Sequence, residues 1–294
     1  MIIIDGKKIA QNIRLEIAQD IDRIKSSYSI NPKLIAVLIG DDPASEIYVR
    51  NKKRSALEVG IDADVINLPE ATSEEKLLNL LEQLNNDKSV HGILVQLPLP
   101  NHINEDTIIQ SISPYKDVDG LHPINLGKLM IGNPYVIPAT PSGVQQLLIR
   151  SNIEIEGKHI VICGRSNIVG KPLANLFIQR SKLANATVSI CHSKTLNLNK
   201  HIMQADILIA AIGQPNFIKG DMVKNDVVVI DVGTNRIKST LTKSGYKLVG
   251  DVEFDTVSLK ANAITPVPGG VGPMTIAMLL KNTVLTCESI IKSN

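Results

Sequence analysis

Cysteine is scarce in this chain, and its few cysteines lack the spacing of a disulfide framework or a metal site. The 294 residues include three, Cys163, Cys191 and Cys287. An odd number at such separations is typical of a protein in a reducing compartment. The sequence also contains no H-x-x-x-H pair and no C-x-x-C motif. We therefore expect neither disulfides nor a bound metal ion.

An excess of charge of one sign and long apolar runs are lacking as well. The formal net charge is only +2, which argues against a nucleic-acid or membrane-surface partner. No run approaches the ~20 apolar residues of a membrane span. The apolar run in the N-terminal MIIIDGKKIA is too short for a signal peptide. With 44% hydrophobic and 20% charged residues, the composition is typical of a soluble globular protein. Because of the cysteine usage and the lack of a signal peptide, we expect it in the cytoplasm.

What the chain does contain is an alternation of short apolar runs with amphipathic stretches. In the first half, helices are predicted at about 6–27, 44–60 and 73–86. The buried strands predicted around them are 34–40, 62–69 and 91–100. After Gly157 the alternation restarts with the strand HIVIC and the helix KPLANLFIQRS. This order predicts an α/β fold with mostly parallel sheets covered by helices on both faces.

A stretch dense in proline and glycine, IGNPYVIPATPSG at 131–143, predicts a connection between two domains. We expect a first α/β domain over residues 1–140 and a Rossmann-like domain over 141–272. A final helix at 273–294 follows a Gly/Pro loop, and we expect it to pack back on the first domain.

The turn after the predicted strand 159–163 has the sequence GRSNIVGKP, with glycines at 164 and 170. This is not the G-x-G-x-x-G fingerprint, and the glycine spacing alone does not identify a dinucleotide site. Its context is a strand, a glycine turn and a helix with Pro172 in its first turn. A helix N-terminus offers free N–H groups and the positive end of a dipole, which suits a pyrophosphate. A plain βα turn without a ligand is the alternative.

The end of the second strand of this domain discriminates between two cofactors. NAD-specific sites place an acidic residue there to bind the ribose 2′-hydroxyl. This chain has CHSKT at 191–195 instead, without a carboxylate. Arg165 and Ser193, joined by His192 or Lys194, suit a 2′-phosphate. The sequence therefore predicts NADP rather than NAD.

Four cations crowd into the stretch YVRNKKRSALEVGI, residues 48–61, and one of them falls on an apolar helix face. Helical spacing puts Arg50 and Arg54 on a polar side. Lys52 instead lies about 40° from Tyr48, which is one turn earlier on the same face. Burial lowers the pKa of a lysine, and a partly neutral lysine can act as a base. The alternative is snorkelling, with the ammonium in water.

Two further polar features occur in the first domain. Gln96 interrupts the apolar run GILVQLPLP at the end of a strand, where it is either a structural amide or a ligand-binding group. Asp117 and Asp119 lie in KDVDGLHP, but the twelfth position counted from Asp117 is Lys128, which excludes a calcium loop. The two acids are either turn formers or ligands for N–H groups of a substrate.

The segment ITPVPGGVGPMT at 264–275 is rigid and poor in side chains. Such a loop allows close approach of the backbone to a flat ligand or cofactor. A purely structural linker is the alternative.

Taken together, these motifs resemble one family, the bifunctional methylenetetrahydrofolate dehydrogenase/methenyltetrahydrofolate cyclohydrolases. The resemblance extends over essentially the whole chain. Its motifs occur in the following order: SEIYVRNKKRSALEVGI, HGILVQLPLP, KDVDGLHPINLGKL, PATPSGV, GRSNIVGKPLANL, CHSKT, AIGQPNFIKGDM, VIDVGTN, GDVEFD and ITPVPGGVGPMT.

The resemblance implies roles for individual residues. Lys52 corresponds to the catalytic lysine of the family, and Tyr48 to the tyrosine that stacks on the folate. Gln96 corresponds to the glutamine that tunes the lysine, and Asp119 to the aspartate that holds the pterin ring. The positions that correspond to cofactor contacts are Gly164, Arg165, Ser166, Ser193, Thr234, Thr140 and Thr275. Thr234 departs from the family, which has isoleucine there.

The resemblance further implies an NADP-dependent oxidation of 5,10-methylenetetrahydrofolate to 5,10-methenyltetrahydrofolate, followed by hydrolysis to 10-formyltetrahydrofolate. It implies a homodimer, a folate-binding catalytic role for the first domain and an NADP-binding role for the second. Three alternatives stay open: a relative with only one activity, a catalytically silent folate- or nucleotide-binding regulator, and a nucleic-acid binder that uses RNKKR. The near-zero net charge argues against the last.

Overall fold

The chain forms two compact units, which we describe separately. The structure is a computed structural model that describes residues 1–239 and 245–293. The unit that we call the larger-sheet unit contains residues 1–10 and 140–275. The smaller-sheet unit contains residues 11–139 and 276–294.

Strands and helices alternate through most of the chain, as the sequence predicts. The strands are β1 (Ile2–Ile3), β2 (Lys33–Ile39), β3 (Asp62–Leu68), β4 (Gly92–Val95), β5 (His159–Cys163), β6 (Thr187–Cys191), β7 (Ile207–Ala210), β8 (Val228–Asp231), β9 (Asn235–Lys238), β10 (Tyr246–Val249) and β11 (Ala263–Ile264). The helices are α1 (Gly6–Tyr28), α2 (Pro43–Val59), α3 (Glu74–Asn86), α4 (Glu105–Ser111), α5 (Pro123–Met130), α6 (Ala139–Arg150), α7 (Gly170–Phe177), α8 (Leu198–Ile202), α9 (Phe254–Val257) and α10 (Val271–Ser293). A short 3₁₀ helix spans Gly220–Met222.

The larger-sheet unit is built on a six-stranded sheet with the order β1-β11-β8-β7-β5-β6. All neighbouring strands in it are parallel, which confirms the predicted sheet type. The antiparallel pair β9–β10 forms a separate ribbon. The first ten residues lie in this unit, whereas we expected them in the domain 1–140. The physical reason is that Ile2 and Ile3 pair with Ala263 and Ile264 at the edge of the six-stranded sheet.

The smaller-sheet unit contains a three-stranded parallel sheet with the order β3-β2-β4. Strand β2 is almost entirely buried in it, as its continuous apolar sequence KLIAVLI predicts. Strand β4 ends at Val95, although we predicted a strand over 91–100. The N–H of Gln96 still reaches the carbonyl of Val37, but the prolines at 98 and 100 have no N–H for a further ladder. Gln96 therefore lies just past the carboxyl end of a parallel strand.

Helix α2 has well-defined ends. The Asp42 side chain accepts a hydrogen bond from the N–H of Ser45, and Pro43 occupies the first turn. The helix stops at Gly60, whose φ of +92° provides the left-handed cap that glycine adopts most easily. These caps set where the helix begins and ends, and burial of its apolar residues Val49, Ala56 and Val59 sets which side faces the core.

Helix α10 begins at Val271, two residues before the predicted start, and the predicted end at residue 294 lies outside the described residues. Its part from residue 276 onward belongs to the smaller-sheet unit, as we expected for a returning helix. The fully buried Asn282 amide donates to the carbonyls of Val118 and Ile137, at 2.8 and 2.9 Å. These bonds fasten the helix to the chain segment that contains the KDVDGLHP motif.

The same helix is also long and apolar enough to cross a membrane, judged by length and composition alone. The stretch is Val271–Lys292, with a mean hydropathy of 1.3. We expected no such stretch from the sequence. More than half of it is buried within the protein, as in the core helix of a folded domain.

Candidate active site

Lys52 lies on the buried face of α2, within the smaller-sheet unit. The residue is only 8% exposed, and its amine donates to the side-chain oxygen of Gln96 at 3.0 Å. This arrangement does not fit snorkelling, which would put the amine in water. The other cations of the cluster behave differently: Arg50 and Arg54 are exposed and Lys53 is half-exposed.

The amide of Gln96 is held in one orientation. Its Nε2 donates to the carbonyl of Leu97 at 2.7 Å, so Oε1 is the atom that faces Lys52. An amide oxygen accepts hydrogen bonds from either the charged or the neutral amine. The contact therefore positions the Lys52 amine without requiring that it carry a charge.

Burial acts on Lys52 and Asp119 in opposite senses, because it disfavours both charges. Burial lowers the pKa of Lys52, and the negative charge of Asp119 opposes this change. Burial raises the pKa of Asp119, Lys52 opposes that rise, and Asp117 adds to it. The two groups are therefore coupled electrostatically within one site. Such opposed shifts are typical of residues that transfer protons.

The two aspartates of the KDVDGLHP motif have different functions in the fold. Asp117 is buried, and its carboxylate accepts hydrogen bonds from the N–H groups of Gly120 and His122 and from the Asn125 amide, all at 2.8–2.9 Å. Asp117 is therefore a turn former. Asp119 is half-buried, and its carboxylate accepts no hydrogen bond from the described residues. This leaves it available for a ligand.

Tyr48 lies one helical turn before Lys52 on α2. It is 44% exposed, although it belongs to the same arc of the helix as buried residues. An exposed aromatic ring beside a buried amine offers a surface on which a flat ring can stack. The smaller-sheet unit thus brings together Lys52, Gln96 and Asp119, with Tyr48 next to them on α2.

A second site lies in the larger-sheet unit, at the carboxyl ends of β5, β6 and β7. It is a cavity of about 600 Å³. The residues that line it are Cys163, Gly164, Arg165, Ser166, Cys191, His192, Ser193, Thr195, Leu198, Ala211, Ile212, Gln214 and Phe217. Four of the predicted cofactor residues, Gly164, Arg165, Ser166 and Ser193, are among them. In open parallel sheets, ligands bind at this end of the strands.

The two glycines of the turn are explained by close packing. A β-carbon at Gly164, whose φ is +140°, would lie 2.2 Å from the carbonyl oxygen of Ala211. A β-carbon at Gly170 would lie 2.1 Å from the carbonyl oxygen of Gly164. The spacing of six residues therefore brings the start of α7 directly against the turn. The N-cap of α7, Val169, has no polar side chain, so this end of the helix suits an anion.

The charges around the cavity match a cofactor with an additional phosphate. Arg165 and Ser193 are exposed, and no residue found to line the cavity in the described part of the chain carries a carboxylate. The hydroxyl of Thr195 accepts the N–H of His192 at 2.9 Å and shapes this loop. These residues fit the dinucleotide that the sequence predicts.

Sequence reasoning did not single out Gln214 and Phe217, which also line the cavity. They belong to the motif AIGQPNFIKGDM. The position of this motif after a predicted parallel strand is the feature of the sequence that could have indicated a ligand-binding role. Conversely, Thr140, Thr275 and Thr234 lie outside the lining found among the described residues. The hydroxyls of Thr140 and Thr275 are 3.0 Å apart. The cofactor role of these three threonines stays a prediction.

Two family models match the chain and together cover most of it. The catalytic domain of tetrahydrofolate dehydrogenase/cyclohydrolase matches residues 4–119. The NAD(P)-binding domain of the same family matches residues 138–290. The chain belongs to this family. It carries both family domains, so it is a bifunctional dehydrogenase and cyclohydrolase of folate one-carbon metabolism.

Curated proteins and solved structures agree with the family assignment. The chain is 53% identical to the bifunctional protein FolD of Chloroherpeton thalassium, with 98% of this chain and 99% of that protein covered. Its fold matches the bifunctional dehydrogenase/cyclohydrolase of Campylobacter jejuni, with a TM-score of 0.91, 48% identity and coverage of 98% and 99% of the two chains. It also matches the Trypanosoma brucei enzyme, solved with NADP and an inhibitor, with a TM-score of 0.93, 38% identity and 99% of each chain covered.

Proposed function

We propose that Lys52 is the proton-transfer group of the cyclohydrolase reaction and that the smaller-sheet unit holds the folate. In this assignment the larger-sheet unit binds NADP. The enzyme oxidises 5,10-methylenetetrahydrofolate to the methenyl cation and then hydrolyses it to 10-formyltetrahydrofolate. The observation that carries the proposal is the buried Lys52 amine in contact with Gln96, at 3.0 Å.

The dehydrogenase reaction requires mainly the correct position of its reactants. The lone pairs of the folate nitrogens drive hydride loss from the one-carbon bridge and delocalise the resulting charge, so no strong base is needed. NADP supplies the hydride acceptor when it is bound. The protein's contribution is to bind and orient the two rings, with Tyr48 stacking on the folate and Asp119 holding N–H groups of the pterin.

The cyclohydrolase reaction adds water to the methenyl cation and therefore requires proton transfer. A charged lysine would repel the cation, whereas burial lowers the pKa of Lys52 and favours its neutral form. The neutral amine has a lone pair that accepts a proton from the attacking water. Gln96 keeps that amine in place during the transfer, because its own orientation is fixed by Leu97.

We propose that NADP is preferred over NAD because Arg165 binds the 2′-phosphate. Replacement of Arg165 by alanine is expected to raise the Michaelis constant for NADP at least ~10-fold and to leave that for NAD within about twofold. Steady-state kinetics with each cofactor measure the difference. The matched control is Arg180→Ala, an exposed arginine of the same unit that is not among the cavity-lining residues. Equal effects of Arg165→Ala on both cofactors would refute the assignment.

The coupling of Asp119 to Lys52 predicts a shift in the pH profile of the cyclohydrolase. The negative charge of Asp119 raises the pKa of Lys52, so Asp119→Asn is expected to lower that pKa further. The acid limb of kcat/KM then moves to lower pH, because kcat/KM reports the free enzyme. The exposed Glu58 on the same helix provides the control Glu58→Gln. An acid limb that stays in place or moves to higher pH contradicts the coupling.

One spectrophotometric experiment tests the proposed function as a whole. The protein is mixed with methylenetetrahydrofolate and either NADP or NAD, and the reduced cofactor and the methenyl absorbance are followed together. A bifunctional enzyme produces reduced cofactor while the methenyl signal rises and then decays. A persistent methenyl signal indicates a dehydrogenase alone, and ligand binding without absorbance change indicates a silent regulator.

We also propose that the enzyme is a cytoplasmic homodimer without a nucleic-acid or membrane partner. The family resemblance supports the dimer. The near-zero net charge argues against binding to nucleic acid or to a membrane surface. Light scattering coupled to gel filtration is expected to give twice the mass of the 31.9-kDa chain.

A further inference from the structure

One wall of the cofactor cavity is a chain segment without regular secondary structure. The described residues 211–214 follow β7 and lie outside helices and strands. The wall residues of this segment are Ala211, Ile212 and Gln214. Ala211 packs directly against the glycine turn at Gly164. The shape of the cavity therefore depends on whatever holds this segment.

A buried carboxylate holds Ile212 and Gly213 of this segment. Oδ2 of Asp251 accepts hydrogen bonds from the backbone N–H groups of Ile212, at 2.5 Å, and Gly213, at 2.9 Å. Oδ1 of the same carboxylate accepts from the Asn235 amide at 2.8 Å. Asp251 is fully buried. Its carboxylate accepts the hydrogen bonds that backbone carbonyls would accept from these two N–H groups in a sheet or a helix.

A second buried carboxylate holds Asp251 in turn. Oδ1 of Asp231, at the end of β8, accepts from the N–H of Asp251 at 3.0 Å, and Oδ2 accepts from the N–H of Val252 at 2.9 Å. The packing is tight, since a β-carbon at Gly250 would lie 1.8 Å from Oδ2 of Asp231. A β-carbon at Gly233 would lie 2.3 Å from the Asp251 carboxylate. The two carboxylates and the two glycines thus form one tightly packed cluster.

Two buried carboxylates lower the stability of the fold, so stability does not explain why they are there. Burial raises the pKa of Asp231 to about 7, and no cation in the described part of the chain pairs with either carboxylate. A protein core filled with apolar side chains would avoid that cost. Departures from ordinary core chemistry concentrate at functional sites.

We propose that Asp251 is a positioning residue for the dehydrogenase reaction, which fixes the cavity wall at Ile212 and Gly213 and is itself held by Asp231. The proposal rests on the proposed function of the cavity as the NADP site. It assigns a role to two motifs, VIDVGTN and GDVEFD, that the proposed mechanism does not otherwise use.

Asp251→Ala tests the proposal, because it leaves the two loop amides without their acceptor. We expect the Michaelis constant for NADP to rise at least ~10-fold, which corresponds to about 1.4 kcal/mol. The cyclohydrolase rate, assayed on methenyltetrahydrofolate in the same preparation, is expected to stay within about twofold. Hydrogen exchange at Ile212 and Gly213 is expected to accelerate, while Ile209 in β7 keeps its protection. If Asp251→Ala accumulates poorly, Asp251→Ser is measured in the same way.

Two matched variants separate positioning from general damage. Asp251→Asn keeps one oxygen that accepts from the loop amides. The Asn235 amide can rotate so that its oxygen accepts from the new NH₂ group. We therefore expect an affinity for NADP much closer to that of the unmodified enzyme than in Asp251→Ala. Asp255→Ala changes the exposed aspartate of the same GDVEFD motif and is expected to leave both activities unchanged.

The outcomes that overturn the proposal differ from those that overturn the proposed function. An unchanged Michaelis constant for NADP in Asp251→Ala, or a parallel loss of both activities, would show that Asp251 does not position the cofactor wall. An unchanged Michaelis constant for NADP in Arg165→Ala would instead refute the proposed function of the cavity as the NADP site.

Discussion

Lys52→Met is expected to lower the cyclohydrolase turnover at least ~100-fold, a typical contribution of a proton-transfer group. Methionine has nearly the length of lysine and fits a buried position, but it has no amine to accept a proton from water. The assay follows the decay of purified methenyltetrahydrofolate. Because the dehydrogenase reaction needs no strong base, its rate is expected to fall much less than that of the cyclohydrolase.

The control for this experiment is the next residue in the chain. Lys53 is half-exposed, and its amine lies 3.6 Å from the carboxylate of Asp64, so Lys53→Met removes a surface cation of the same helix. The cyclohydrolase activity of Lys53→Met is expected to stay near that of the unmodified enzyme. The unfolding temperature of Lys52→Met is expected to be no lower than that of the unmodified enzyme, since an apolar side chain replaces a buried amine. Full cyclohydrolase activity in folded Lys52→Met would remove Lys52 from its role.

Gly164→Ala is expected to raise the Michaelis constant for NADP at least ~100-fold while the cyclohydrolase reaction persists. The added β-carbon would lie 2.2 Å from the carbonyl oxygen of Ala211, and the φ of +140° is one that alanine rarely adopts. The turn must therefore shift, and with it the neighbouring Arg165 and Ser166. Titration with NADPH, followed by its fluorescence, measures the loss of binding directly.

Gly127→Ala is the matched control, because it also adds a methyl group to a glycine but at an exposed position of helix α5, in the smaller-sheet unit. At Gly127 a β-carbon would meet no heavy atom within 4 Å. NADP binding is expected to be unchanged in this variant. Normal NADP binding in folded Gly164→Ala would show that the glycine turn does not shape the cofactor site.

Much of this molecule could be predicted from local sequence patterns. The alternation of apolar runs and amphipathic stretches predicts the parallel α/β architecture, because each element must bury one face. The helix bounds of α1, α2 and α3 agree with prediction to within one residue. The position of Lys52 in an apolar arc indicates a buried amine, since helical periodicity alone places the side chain on that face.

Other features were not accessible in this way because they depend on distant parts of the chain. The N-terminal strand β1 belongs to the larger-sheet unit through its pairing with β11, some 260 residues later. Strand β4 is shorter than its apolar run, because the prolines at 98 and 100 have no N–H to continue the hydrogen bonding with the neighbouring strand. The different functions of Asp117 and Asp119 depend on which backbone N–H groups the turn directs at each carboxylate.

Which residues are able to do chemistry follows from the order of amino acids alone, because reactive groups, glycine turns and apolar periodicity are properties of short segments. Which of these residues meet depends on how the folded chain packs. Contact between Lys52 and Gln96, and the support of the Ile212–Gly213 wall by Asp251 and Asp231, join segments far apart in the chain. Such contacts form only when packing of the apolar faces brings those segments together and excludes water from the groups between them.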